Sequence, residues 1–176
     1  MPDKLIRDIP LMQRYARHNA GEDLAFRAFL KGRLNLSNKE LDAVVQETTD
    51  EVWKQIDCLA CGNCCRTLQI VVDDKDIQRL SQRLKMTPQQ FSRQYVETDS
   101  SRTHYLKSTP CSFLGEDNRC SVYADRPQAC HDFPYLHAAD FRQRTLMTID
   151  NTAVCPIVFN VWQQLKERLK FRRKRR

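Results

Sequence analysis

Between Ser37 and Ile56 the chain places Leu41, Val44, Val45, Val52 and Ile56 at the three-to-four-residue spacing of one helix face. The start of that helix is marked twice. Ser37 with Glu40 three residues on is a capping box, and Leu36 and Leu41 occupy the two positions of a hydrophobic staple, so the spacing predicts a helix from about Asn38 to the mid-fifties. Upstream, Leu11, Tyr15, Leu24, Phe26, Phe29 and Leu30 predict one or two helices, with a break near Asn19, Ala20 and Gly21. "TLQIVV" is short, β-branched and closed by Asp73 and Asp74, which reads as a strand. The two aspartates then open a helix carrying Ile77, Leu80 and Leu84. "MTPQQF" repeats the signal with Thr87 as cap, Pro88 in the first turn, Gln90 at the third position, and Met86 stapled to Phe91. From Thr103 to Tyr123 short apolar pieces alternate with turn residues, and "GEDN" predicts a small hairpin. Cys155 and Pro156 open a last apolar helix through Ile157, Val158, Val161, Trp162, Leu165 and Leu169, which runs into a basic end.

These elements predict a mainly α chain with a few short β-strands, a small α+β fold. The expected organisation is a single domain built around a cysteine-ligated metal centre. Residues 1–56 form an N-terminal helical region, 57–156 a cysteine-cluster domain, and 157–176 a C-terminal helix with a basic tail. A length of 176 residues with 41% apolar content supplies a modest core. The net charge of +7 is not spread along the chain: residues 166–176 hold eight basic residues and one acidic, so the rest is neutral. Such a tail suits phosphates of a nucleic acid or an anionic membrane surface, and equally a solvated helix end. Glycine occurs only at 21, 32, 62 and 115, which leaves no phosphate-cradling or dinucleotide loop. The first thirty residues carry charge every few positions, so they do not read as a secretory signal, and no stretch is apolar enough to span a bilayer. A cytoplasmic location follows as the expectation, where thiols stay reduced and a cysteine cluster points to metal or catalysis.

Eight cysteines stand at 58, 61, 64, 65, 111, 120, 130 and 155. Two-residue gaps let successive thiolates converge on one centre, as in zinc sites and iron–sulfur proteins. If the backbone is extended at Cys64 and Cys65, their side chains point to opposite sides, and the two would serve different metals or separate sites. Cys58, Cys61 and Cys64 with the remote Cys155-Pro156 then resemble a ferredoxin-like half, leaving Cys65 to join Cys111, Cys120 and Cys130. All eight are candidate ligands, and the cofactor they predict is an iron–sulfur cluster, 4Fe–4S included, or Zn2+. A redox C-x2-C pair lacks its usual βαβ context. His131 is a candidate ligand or a donor beside Cys130, and Arg66, Arg126 and Asp132 flank the cysteines. An arginine there offsets thiolate charge.

"CLACGNCCR", "PCSFL" and "RCSVYADRPQACHDFP" together resemble the YkgJ-type CxxCxxCC family, a zinc- or iron-chelating domain, over about residues 58–135. The resemblance implies that Cys58, Cys61, Cys64, Cys65, Cys111, Cys120 and Cys130 bind metal. A similar cysteine module accompanies the flagellin lysine methylases, which implies an iron–sulfur centre as one option. The chain departs from the family in carrying His131 where arginine is common. The expected function is a metal-binding protein with a redox, sensing or structural role toward an unknown protein partner. The alternatives are a zinc-stabilised module that touches nucleic acid or membrane through residues 166–176, and a protein-modifying enzyme related to lysine methylation.

Overall fold

The computed structural model describes residues 5–172. The elements in chain order are α1 (Ile9–Gly32), α2 (Asn38–Trp53), α3 (Cys58–Cys61), α4 (Asn63–Thr67), α5 (Asp74–Arg83), α6 (Pro88–Tyr95), β1 (Val96–Thr98), β2 (His104–Leu106), a 3-10 turn (Tyr123–Asp125), α7 (Gln128–Asp132), α8 (Phe141–Asn151) and α9 (Pro156–Arg168). The protein is thus mainly helical with a small antiparallel sheet, the fold class the sequence predicts. It divides into two compact units: a helical one from Met1–Asp57 with Pro134–Arg176, and an inserted one, Cys58–Phe133.

In the helical unit, α9 is the central element. Ten of its residues from Pro156 to Lys166 are buried, and α1, α2 and α8 pack on it. Trp162 is fully buried, with the Phe26 ring edge-on at 4.9 Å. Its indole Nε1 donates to Asp23 Oδ1 over 2.9 Å, and the Lys166 ammonium lies 2.6 Å from the same oxygen. A buried aromatic nitrogen and a buried cation are thereby satisfied by one carboxylate. Lys166 also meets Glu22 at 2.7 Å, while Arg168 pairs with Glu51 and, at 3.7 Å, with Glu47. The first two cations of the basic C-terminal stretch are therefore engaged with α1 and α2. Residues 173–176 of the stretch considered for nucleic-acid or membrane contact lie outside the described residues. No helix among the described residues is long and apolar enough to cross a membrane.

The capping box at Ser37 forms as predicted, and α2 ends at Trp53. The expected break near Gly21 does not occur: α1 runs unbroken, and nothing lies within 4 Å of the place a Cβ would take on Gly21. Its buried face is Met12, Ala16, Asp23, Phe26 and Leu30, whereas Tyr15 and Leu24 are exposed. The sequence gives no sign of α8, because its start is capped from afar. Asp140 makes no capping bond, and Asp42 of α2 accepts from Asp140 N at 2.8 Å and Phe141 N at 2.9 Å.

In the inserted unit, α5 and α6 both begin with capping boxes, at Asp73/Asp76 and Thr87/Gln90. They pack with β1 and β2 around Val72, Ile77, Leu80, Phe91, Val96, Leu106, Phe113 and Val122. The predicted strand over "TLQIVV" shrinks to a single bridge of Val71 with Tyr105, flanked by Leu106 N donating to Ile70 O and Val72 N to His104 O. The helix α4 consumes its first residue. β1 was not foreseen; it pairs with β2 in register Val96 to Leu106. The "GEDN" turn closes as expected, with Leu114 bridged to Cys120.

Because α1 is continuous and solvent-facing at Gly21, Gly21→Ala should stabilise the protein by about 0.5–1 kcal/mol. A higher urea midpoint checks this; a lower one would show that the helix needs its glycine.

Candidate metal centre

Seven cysteines lie in the inserted unit, and Cys155 stands in the helical unit as the buried N-cap residue of α9. All eight are thiols rather than disulfides. Cys58 and Cys61 bracket the single turn α3, and Cys64 and Cys65 sit in α4. Gly62 joins the two turns in the left-handed region at φ 59°. Glycine is required there, since a Cβ would lie 2.9 Å from Arg66 Nη1 and 3.3 Å from both Asn118 Cβ and Asn118 O.

The extended backbone assumed for Cys64 and Cys65 is not what the chain adopts. Both are on a helical turn, and their sulfurs are 3.9 Å apart. Two thiolates 2.3 Å from one tetrahedral zinc are separated by ~3.8 Å. Adjacent cysteines here are therefore at a separation compatible with two ligands of a single ion, and the extended-backbone reason for assigning them to different metals does not hold.

Three further cysteines come to this pair. Cys111 N donates to Cys65 O over 2.8 Å, joining the two segments directly. Cys120 follows the "GEDN" turn, and Cys130 is carried by α7. The thiol groups of Cys65, Cys111, Cys120 and Cys130 sense one another's charge. The hydrogen bond from Cys64 holds Cys65 down at about 7 against its own burial, with Arg66 assisting. Burial and the charge of Cys65 raise Cys111 and Cys120 above the ordinary thiol range, and burial with the charges of Cys65, Cys111 and Cys120 pushes Cys130 up to about 12. Arg126 works in the opposite direction on Cys120 and Cys130. Its guanidinium lies 4.0 Å from the Tyr123 ring centroid and donates to Tyr123 O at 2.8 Å. Without a metal, one thiolate keeps its neighbours protonated.

The segment bearing Cys130 is anchored by a residue the sequence reading passed over. Asp76, 2% exposed, accepts at Oδ1 from Gln128 N at 3.0 Å and from Arg79 at 2.5 Å, and at Oδ2 from Asp73 N at 3.2 Å. Arg79 continues to Asp125 O and Arg126 O. The acidic residue three after the Asp73 cap was the available signal for it. His131, by contrast, is exposed and directed at Asp132 Oδ1 over 3.2 Å.

Among the described residues no group of three or more His, Cys, Asp or Glu side chains stands at metal-holding spacing. The thiols form a gathered set rather than a closed cage. Two observations fit a metal to it. The donors are all sulfur, which suits zinc or iron–sulfur chemistry and not calcium or magnesium. Moreover α3, the 3-10 turn and α7, of four, three and five residues, contain no buried residue. Helical turns that short do not stand alone in water, and no apolar packing replaces the missing length.

A model of the CxxCxxCC family, described as a "putative zinc- or iron-chelating domain", matches residues 57–156. No solved structure matches the chain.

In metal-free, reduced protein Cys65 should be alkylated first, at half its maximal rate near pH 7, because the thiolate is the reacting form and is half populated there. Cys130 should resist until strongly alkaline pH. Peptide mapping after timed iodoacetamide treatment reads both. Asp76→Ala leaves the Gln128 amide without its acceptor and Arg79 without its carboxylate, though still bonded to Asp125 O and Arg126 O, and should cost about 1–3 kcal/mol in urea unfolding.

Proposed function

The chain belongs to the CxxCxxCC family, and from that premise we propose that its inserted unit is a thiolate metal centre in which Cys65, Cys111, Cys120 and Cys130 are the principal ligands. The observation that carries this reading is the grouping of those four thiols from three separate segments, close enough for one thiolate to shift the other three. Cys64, 3.9 Å from Cys65, is a ligand of the same ion or its replacement. Cys58 and Cys61 lie one turn away on the same segment.

Zinc is the ion this reading takes first. A tetrahedral ion closed by four thiolates has no open position, so its role is to hold short turns that have no fully buried residue of their own. A second reading is favoured by the surplus of donors. Seven thiols in one unit exceed what a single zinc needs and suit an iron–sulfur cluster, with a redox or sensing role. Arg66 and Arg126 would then help offset the cluster's negative charge.

Metal and acid-labile sulfide analysis of protein purified without oxygen separates the two. Zinc without sulfide supports the structural ion, iron with sulfide and visible charge-transfer absorption the cluster, and neither metal refutes both. The thiol chemistry adds a quantitative expectation. Just above pH 7 the raised thiols Cys111, Cys120 and Cys130 each surrender a proton on binding. Apparent zinc affinity should therefore rise on the order of 10³-fold per pH unit there, in competition with a chromophoric chelator. A tenfold rise would mean that only one of the three is a ligand.

A further inference from the structure

The turn that joins α3 to α4 is fastened to the "GEDN" hairpin by two side chains, Arg66 and Asn118, neither of which is a thiol donor. Arg66 Nη1 donates to Cys61 O at 3.1 Å, and its Nη2 donates to Asn118 Oδ1. Asn118 Nδ2 donates in turn to Ala60 O at 3.1 Å. Arg66 and Asn118 thus satisfy the carbonyls of Ala60 and Cys61, at the end of a helical turn too short to satisfy its own. They close over Gly62, whose missing Cβ is what lets them approach.

Asn118 is itself held for this task. It has φ 67°, a conformation asparagine tolerates better than most residues, and its amide N donates to Gly115 O at 3.0 Å within the turn that ends at Cys120. A bridge therefore runs from the segment bearing Cys58, Cys61, Cys64 and Cys65 to the segment bearing Cys111 and Cys120. It is separate from the backbone bond between Cys111 N and Cys65 O. Arginine suits the position because its fork reaches two acceptors in different directions, which a lysine ammonium on its flexible stem does not hold in fixed geometry.

We propose that Arg66 and Asn118 act as a clamp, a pair of positioning residues that hold the two thiol-bearing segments together and so set how slowly the metal leaves. The inference rests on the reading of these thiols as a metal centre. For a metal to escape, thiolates from different segments must part. A bridge that keeps the segments together after one sulfur lets go favours rebinding over loss. Outer partners of metal ligands typically govern affinity by about 10- to 100-fold, and the clamp is expected to act within that range, on the release rate.

The test uses the full chain loaded with zinc, with release followed into excess chromophoric chelator. Arg66 is solvent-exposed and Asn118→Gly keeps the positive φ, so both substitutions are compatible with folding. Arg66→Met and Asn118→Gly should each speed release about 10- to 100-fold while leaving the zinc stoichiometry unchanged. The double variant should be no faster than Asn118→Gly alone, because Asn118 makes both bonds that cross between the segments and Arg66 only one of them. Arg66→Lys, which keeps the charge and loses the fork, should behave like Arg66→Met. Release at the wild-type rate in the single variants, multiplying effects in the double, or full rescue by lysine would each overturn the clamp while leaving the metal centre intact. A wild-type chain that takes up no zinc or iron would instead overturn the metal centre, and the clamp's role in release with it.

Discussion

Three short helical turns of the cysteine unit hold no fully buried residue, and conformational entropy works against each of them. Fixing a residue's backbone costs roughly 1–2 kcal/mol, and α3, α7 and the 3-10 turn recover little of it, since none of their side chains is fully buried. The apolar core of the inserted unit is drawn mainly from α5, α6, β1 and β2, with only Phe113 and Val122 from the stretch between Cys111 and Cys130. Shape on the cysteine side is kept by polar fastenings: Asp76 to Gln128, Arg79 to two carbonyls, Arg66 and Asn118 across Gly62. Each is a modest bond in water. What they lack in strength, ligation of the thiols by one centre would supply, since a metal links segments that the core reaches only through Phe113, Val122 and the partly buried Cys111 and Cys120.

The same crowding explains the electrostatics. Burial alone raises a thiol, and a neighbouring thiolate raises it further, so near neutrality ionisation is confined to Cys65, where the Cys64 hydrogen bond and Arg66 favour it. Arg126 faces Cys120 and Cys130 from the other end, steadied by the Tyr123 ring. Two arginines against four thiols is an arrangement that resists accumulating negative charge unless a cation is placed among the sulfurs.

Much of the scaffold was legible because its signals are local. Ser37, Asp73 and Thr87 each cap the helix that follows them, and Pro156 opens α9, all within four residues of the element they specify. What could not be read depends on distant partners. The start of α8 is capped by Asp42, and α1 passes through Gly21 because its buried face is fixed by Phe26 and Leu30 against Trp162 and its neighbours rather than by propensity. At the site, the spacing of the cysteines announced the donors, and the family resemblance announced metal. The backbone at Cys64 and Cys65 was misjudged because a five-residue helix leaves no periodicity, and Asp76 and Asn118 were missed because their partners lie fifty or more residues away.

The helical unit is discontinuous: α1 and α2 precede the inserted Cys58–Phe133, and α8 and α9 follow it. Synthesis runs in one direction, so the face of α2 that ends on α9 must wait, apolar and uncovered, while the entire cysteine segment is made. The cysteine segment alone takes about 4–15 s at ~5–20 residues per second, and the wait until α9 is complete is about 6–23 s. During it Asp42 has no α8 to cap and Asp23 no Trp162 or Lys166 to receive. The cysteine unit is the first part of the chain with all its own sequence in hand, and its completion on the ribosome precedes closure of the helices on either side of it.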